Sequence, residues 1–137
     1  MKLFKAMILS FLVYGCSKPL DKIELLNGYW EIEKVVLQDG SIKTFTFSET
    51  IDYFQLNDSL KGLRAKVMPM IDGKFSMESP VEDFQIVFEN DSLNVYYKTP
   101  YAKWKETIKS ISNSQLEIVN QHNNVYFYKR YKPITLP

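Results

Sequence analysis

Turn signals interrupt this chain at short intervals, from Asp39-Gly40 to the Asn-rich run Asn120 to Asn124, and no convincing long helix separates them. That punctuation argues against helical bundles and α/β layouts, which need longer amphipathic stretches between the turns. What remains is a meander of short antiparallel strands joined by hairpins. Between the turns the residues alternate: Phe84, Ile86 and Phe88 share one face, while Gln85 and Glu89 share the other. The same reading places strands at Thr44 to Phe47, Thr50 to Leu56, Leu63 to Met68, Lys74 to Met77 and Leu93 to Lys98. Ala102 to Ser112, Leu116 to Val119 and Val125 to Tyr131 complete the set. A sheet of this many strands exposes its edges unless it closes on itself, so the expected fold is all-β, an antiparallel up-and-down meander closing into a barrel of roughly eight strands.

The first strand opens at Leu26-Asn27-Gly28-Tyr29-Trp30-Glu31-Ile32. Gly28 can adopt backbone angles closed to other residues, so a turn can feed directly into the strand. Trp30 and Ile32 fall on one face and Glu31 and Glu33 on the other, which buries the tryptophan ring near one end of the barrel. Val35-Val36-Leu37 breaks the alternation and suggests a bulge or bend. Asn57-Asp58-Ser59-Leu60 and Asn90-Asp91-Ser92-Leu93 repeat the same four residues, which suit turns because Asn, Asp and Ser bond their own backbone.

The amino terminus follows a different logic. Lys2 and Lys5 precede a short apolar run, Ala6 to Tyr14, and Gly15-Cys16 comes next. The run is too short to span a bilayer. Val13-Tyr14-Gly15-Cys16 resembles the signal box of bacterial lipoproteins, in which cleavage before the cysteine exposes it for acylation; an ordinary secretory signal is the alternative. Cys16 is the only cysteine, so no intrachain disulfide forms, and acylation would remove a free thiol from an exported protein. The expected layout is a signal peptide over 1–15, a lipidated tether over 16–25 and a barrel domain over 26–137. A helical turn at Lys22 to Leu26 would end the tether.

Losing Lys2 and Lys5 reduces 17 basic residues to 15 against 16 acidic ones, a net charge near −1. A near-neutral surface argues against nucleic acid as a partner. Chemistry-bearing constellations are scarce. His122, the single histidine, sits in a turn, either simply solvated or as a catalytic base. No phosphate loop, nucleophile elbow or metal-spaced cluster is present, so no catalytic residue, metal or cofactor is assigned and the chain is read as non-enzymatic.

Glu106 is the unexpected residue. Lys103, Lys105, Thr107 and Lys109 share the water-facing parity, so Trp104, Glu106 and Ile108 point inward. A carboxylate there either orients a polar ligand in a cavity, pairs with a cation, or reaches water at the rim. Arg64 and Arg130 are the only arginines available to pair with it. Closure of the barrel would bring Arg130, at the end of the last strand, over Trp30. The aromatics, including Tyr53, Phe54, Tyr96, Tyr97, Tyr101, Tyr126, Phe127 and Tyr128, either stack on a ligand or fill the barrel.

Taken together, the lipoprotein-type box, the short tether, Leu26-x-Gly28-x-Trp30, the string of hairpins and the closing Tyr126-Phe127-Tyr128-Lys129-Arg130 resemble the lipocalin-like lipoproteins of Gram-negative bacteria. The resemblance implies a lipocalin-like barrel whose mouth holds a small apolar or amphipathic molecule, with Trp30, Tyr53, Trp104, Glu106 and Arg130 as candidate ligand-binding residues and Cys16 as the lipidation site. It further implies anchoring to a bilayer of the cell envelope, with the outer membrane expected from Ser17 after the cysteine. The competing reading is an accessory protein that docks on an envelope complex through its outer surface and has a filled barrel.

Overall fold

The structure, a computed structural model, describes residues 19–133. The expected signal peptide, Cys16 and the start of the tether lie outside the described residues. A 3-10 helix, Pro19–Leu26, precedes ten strands: β1 Gly28–Val36, β2 Ile42–Thr44, β3 Ile51–Leu56, β4 Lys61–Pro69, β5 Phe75–Met77, β6 Glu82–Glu89, β7 Ser92–Lys98, β8 Lys103–Ile111, β9 Gln115–Asn120 and β10 Val125–Arg130.

The strands form one antiparallel sheet in the order β10-β9-β8-β7-β6-β4-β3-β1, and a β10–β1 pairing closes it into an eight-stranded barrel. The two remaining strands are short attachments: β2 pairs with the second half of β1, and β5 with the end of β4. Both β1 and β4 therefore divide one edge between two partners, since β3 and β6 pair only with their first halves. One end of the barrel is left more open than the other.

The closed end is built by the helix. Leu20, Ile23 and Leu26 recur every three residues, the period at which 3-10 side chains eclipse, so one edge of this short helix is apolar. Ile23 and Leu26 are buried in the main core with Trp30, Phe54, Ile86, Leu93 and Ile118. The described part of the segment expected as a tether over 16–25 is thus helical from Pro19 and packs on the core through Ile23, and the expected helical turn at Lys22 to Leu26 lies within it. Gly28 opens β1 with φ of 117°, and a side chain there would press on the Arg130 guanidinium.

Three local expectations change. The second strand is Ile42–Thr44 rather than Thr44 to Phe47, and Phe47 is 75% exposed, since short β2 only fringes β1. The irregularity in the first strand falls between Ile32 and Lys34 in the ladder with β10, not at Val35 to Leu37. Phe88 is 42% exposed because it sits next to the β6–β7 hairpin, outside the core formed by Phe84 and Ile86. The repeated Asn-Asp-Ser-Leu segments make different turns: Leu60 alone has positive φ in the first, Asn90 and Asp91 in the second.

Candidate binding cup at the barrel mouth

Cross-strand register brings a polar cluster together at the open end. Phe54 on β3 faces Arg64 on β4, which in turn faces Glu82 on β6; Asp52 faces Lys66; Tyr97 on β7 faces Trp104 on β8; and Glu106 faces Asn120 on β9. Directly opposed residues have neighbouring Cβ atoms, so these pairs meet inside the lumen without any long reach.

Arg64 lies across the lumen. Its Nη1 donates to Glu106 Oε1 at 2.8 Å and to the Tyr97 hydroxyl at 2.9 Å; Nη2 donates to the Tyr128 hydroxyl at 3.0 Å and to Asp52 Oδ2 at 3.1 Å. The Phe54 ring supports the guanidinium from below, 4.7 Å from its centroid. Lys66 Nζ reaches Asp52 Oδ1 at 3.2 Å. Burial opposes the charge on Arg64, but Tyr97, Tyr128, Asp52 and Glu106 outweigh it and hold its pKa well above the ordinary value. Burial likewise works against Asp52, and Arg64 and Lys66 overcome it, so its carboxyl titrates below the usual range. Burial drives the Tyr97 and Tyr128 phenols upward, so both stay protonated as hydrogen-bonding hydroxyls.

This layer divides the lumen. Below it, Trp30, Phe54, Phe84, Ile86, Val95, Ile108 and Ile118 fill the interior. Above it lies an open cup of about 310 Å³, lined by Asp52, Arg64, Lys66, Glu82, Trp104, Glu106, Asn120, Tyr126 and Tyr128 among others. The volume is at the lower end of the range for small-molecule sites. Trp104 stacks in parallel on Tyr97, with centroids 5.1 Å apart, and Asn120 Nδ2 makes a long 3.4 Å contact to the Tyr126 hydroxyl. Glu82 has its pKa raised, first by burial, which Arg64 opposes, and further by the like charges of Asp52 and Glu106, which Lys66 partly offsets.

Of the five residues expected at a ligand site, Trp104 and Glu106 reach the cup. Trp30 and Arg130 come together at the opposite end, where the guanidinium lies 3.8 Å from the centroid of the indole ring. There Trp30 Nε1 donates to the Leu26 carbonyl, and Arg130 donates to the carbonyls of Leu25, Asn27 and Asn113. This clasp ties helix, first strand and last strand together, and Trp30 has no accessible surface. Tyr53 faces outward and stacks on Tyr29 at 4.8 Å, in a second apolar cluster with Ile51, Val67 and Phe75. Sequence reasoning did not place Asp52, Lys66, Glu82 or Asn120 at the site, and it named Tyr128 only among the aromatics that stack on a ligand or fill the barrel. The signal was present in strand parity, since Asp52 alternates with Phe54 and Glu82 with Phe84.

A model of the lipocalin-like domain matches residues 26–118. No curated protein matches the sequence. Among solved structures, the chain is similar to a lipocalin-like protein from Bacteroides uniformis, with 10% identity and a TM-score of 0.49 over 78% of this chain and 99% of that one. A protein from Bacteroides eggerthii is similar at 9% identity and the same TM-score, over 77% and 99% of the two chains. An antiparallel eight-stranded barrel, closed by the pairing of its last strand with its first, and a family match across most of the chain lead to one conclusion: this chain belongs to the lipocalin-like domain family.

Proposed function

We propose that the protein is a non-catalytic, lipid-anchored component of the bacterial cell envelope, at the outer membrane, that binds a small amphipathic molecule in its open mouth. The observation that carries this reading is the cup of about 310 Å³ above the Arg64 layer, which combines the Trp104 and Tyr126 rings with charged groups. Aromatic surface with a few placed polar groups is the usual composition of a small-molecule site. A purely apolar ligand fits less well, because the apolar lower lumen is filled and the space that remains mixes apolar surface with charged groups. Support for the anchor comes from Val13-Tyr14-Gly15-Cys16, whose cysteine would carry the acyl chains that enter the bilayer.

Two measurements test the proposal. Cys16→Ser moves the protein from the membrane pellet to the soluble fraction; a mutant that still pellets after a high-salt wash refutes the anchor. Binding of octan-1-ol, followed by isothermal titration calorimetry, is saturable and is abolished by Trp104→Ala; octanol binding that survives this change would place the ligand elsewhere. The second reading, docking on an envelope complex, is favoured by the β4–β5 hairpin, where Met70 and Met77 are exposed and Ile71 is 98% exposed.

A further inference from the structure

Resting on the reading of the cup as a ligand site, we infer that its ligand is a small organic cation, an ammonium group on an apolar body, with Glu82 as the counter-charge and Trp104 and Tyr126 as the aromatic wall. Arg64 uses both terminal nitrogens on four partners inside the protein, so its guanidinium is committed to Glu106, Asp52, Tyr97 and Tyr128. An anionic ligand would have to displace one of these bonds. Lys66 is already bonded to Asp52.

The charges in the cup do not balance. Three carboxylates, Asp52, Glu82 and Glu106, face two cations, Arg64 and Lys66. Both cations are engaged by Asp52 and Glu106, and among the described residues no cation lies within ion-pair distance of Glu82. Glu82 is nevertheless partly buried, and burial, with Asp52 and Glu106, raises its carboxyl in spite of the opposing fields of Arg64 and Lys66. A bound ammonium would offset that cost directly, since an opposite charge at close range favours the ionised carboxylate. Trp104 and Tyr126 line the same space, and Trp104 is held in place by its stack on Tyr97. Aromatic faces attract cations and cover apolar surface at the same time. Among the described residues no group of three or more His, Cys, Asp or Glu could hold a metal ion, which turns the reading from an inorganic to an organic cation.

The test uses three probes of equal chain length at neutral pH: octylamine, which is cationic, octan-1-ol, which is neutral, and octanoate, which is anionic. Each is titrated into the purified mature domain and read by isothermal titration calorimetry, with Trp104→Ala as the site control. The expected result is that octylamine binds about tenfold tighter than octanol and that octanoate binds weakest. Glu82→Gln brings the affinity for octylamine down to that for octanol measured on the same variant, so that the amine-to-alcohol ratio falls to about one. Equal binding of all three, or tightest binding of octanoate, overturns the cation inference and leaves the cup as a ligand site. A preference for octylamine that survives Glu82→Gln overturns the role of Glu82. Absence of Trp104-dependent binding by any probe refutes the site itself, and the inference with it.

Discussion

Replacing Arg64 by methionine is the most exacting test of how the mouth is built. The side chain is 12% exposed and donates four hydrogen bonds, two of them to carboxylates that are 5% and 10% exposed. Methionine fills a similar length but leaves Glu106 buried without a cation and Asp52 with only the solvent-facing Lys66. Removing one partner of a buried ion pair costs about 3–5 kcal/mol, chiefly because the other charge stays behind. Against a domain stability of about 5–15 kcal/mol, that loss is easily measured. Urea unfolding read by tryptophan fluorescence, with m-values compared, gives the number. The triple change Arg64→Met, Asp52→Asn and Glu106→Gln removes the stranded charges and recovers most of the loss, a non-additivity expected of residues that act as one network. A loss below ~1 kcal/mol for Arg64→Met alone refutes the network as described. A triple variant as unstable as the single one would show that lost packing, not uncompensated charge, sets the cost.

Other perturbations follow from the same geometry. Trp30→Ala empties the closed end and frees Arg130 of its ring, so urea unfolding registers a loss of about 3–5 kcal/mol; less than ~1 kcal/mol would remove Trp30 from the core. The depressed pKa of Asp52 gives stability that is present above its ordinary value of 3.8 and is lost as pH falls through the folded value. Asp52→Asn therefore flattens the acid limb of the stability profile below that pH, and an unchanged limb contradicts the pairing with Arg64 and Lys66. Glu82 has the opposite sign: its raised pKa leaves no penalty below the ordinary value of 4.5 and a full one above the folded value. Glu82→Gln thus stabilises the protein at neutral pH and not in acid, and an equal effect at both ends refutes this assignment.

The barrel was legible because its walls obey a period of two. Phe84 with Ile86, and Trp104 with Glu106 and Ile108, point inward as their alternation requires. The meeting of Arg130 with Trp30 was legible too, since a closed meander must place its last strand beside its first. The helix was legible only as a turn at Lys22 to Leu26, because its apolar edge, Leu20, Ile23 and Leu26, recurs every three residues within a segment that otherwise reads as linker. The second strand was misplaced because Phe45 and Phe47 have β character by composition, while β2 runs earlier, at Ile42–Thr44. The composition of the cup was hidden for a different reason. Its floor joins residues from five strands, and which of them meet depends on register, which shifts at irregularities such as those at Ile32/Lys34 and Ile108/Ser110. Parity alone puts Glu106 inside the barrel but cannot choose between Arg64 and Arg130.

The guanidinium across the lumen also bears on how the chain can reach this state. Its four partners lie 12, 33, 42 and 64 residues away along the sequence, on β3, β7, β8 and β10. No hairpin formed early can satisfy it, and a half-curled sheet would hold a charged side chain against apolar neighbours with most of its partners missing. Loop closure over such separations is entropically costly before any contact repays it, and long-range pairing slows folding. The β3–β4 hairpin supplies Asp52 alone, so Arg64 is fully paired only once β3, β7, β8 and β10 have come together around the lumen, which couples these strands in the final rolling of the sheet.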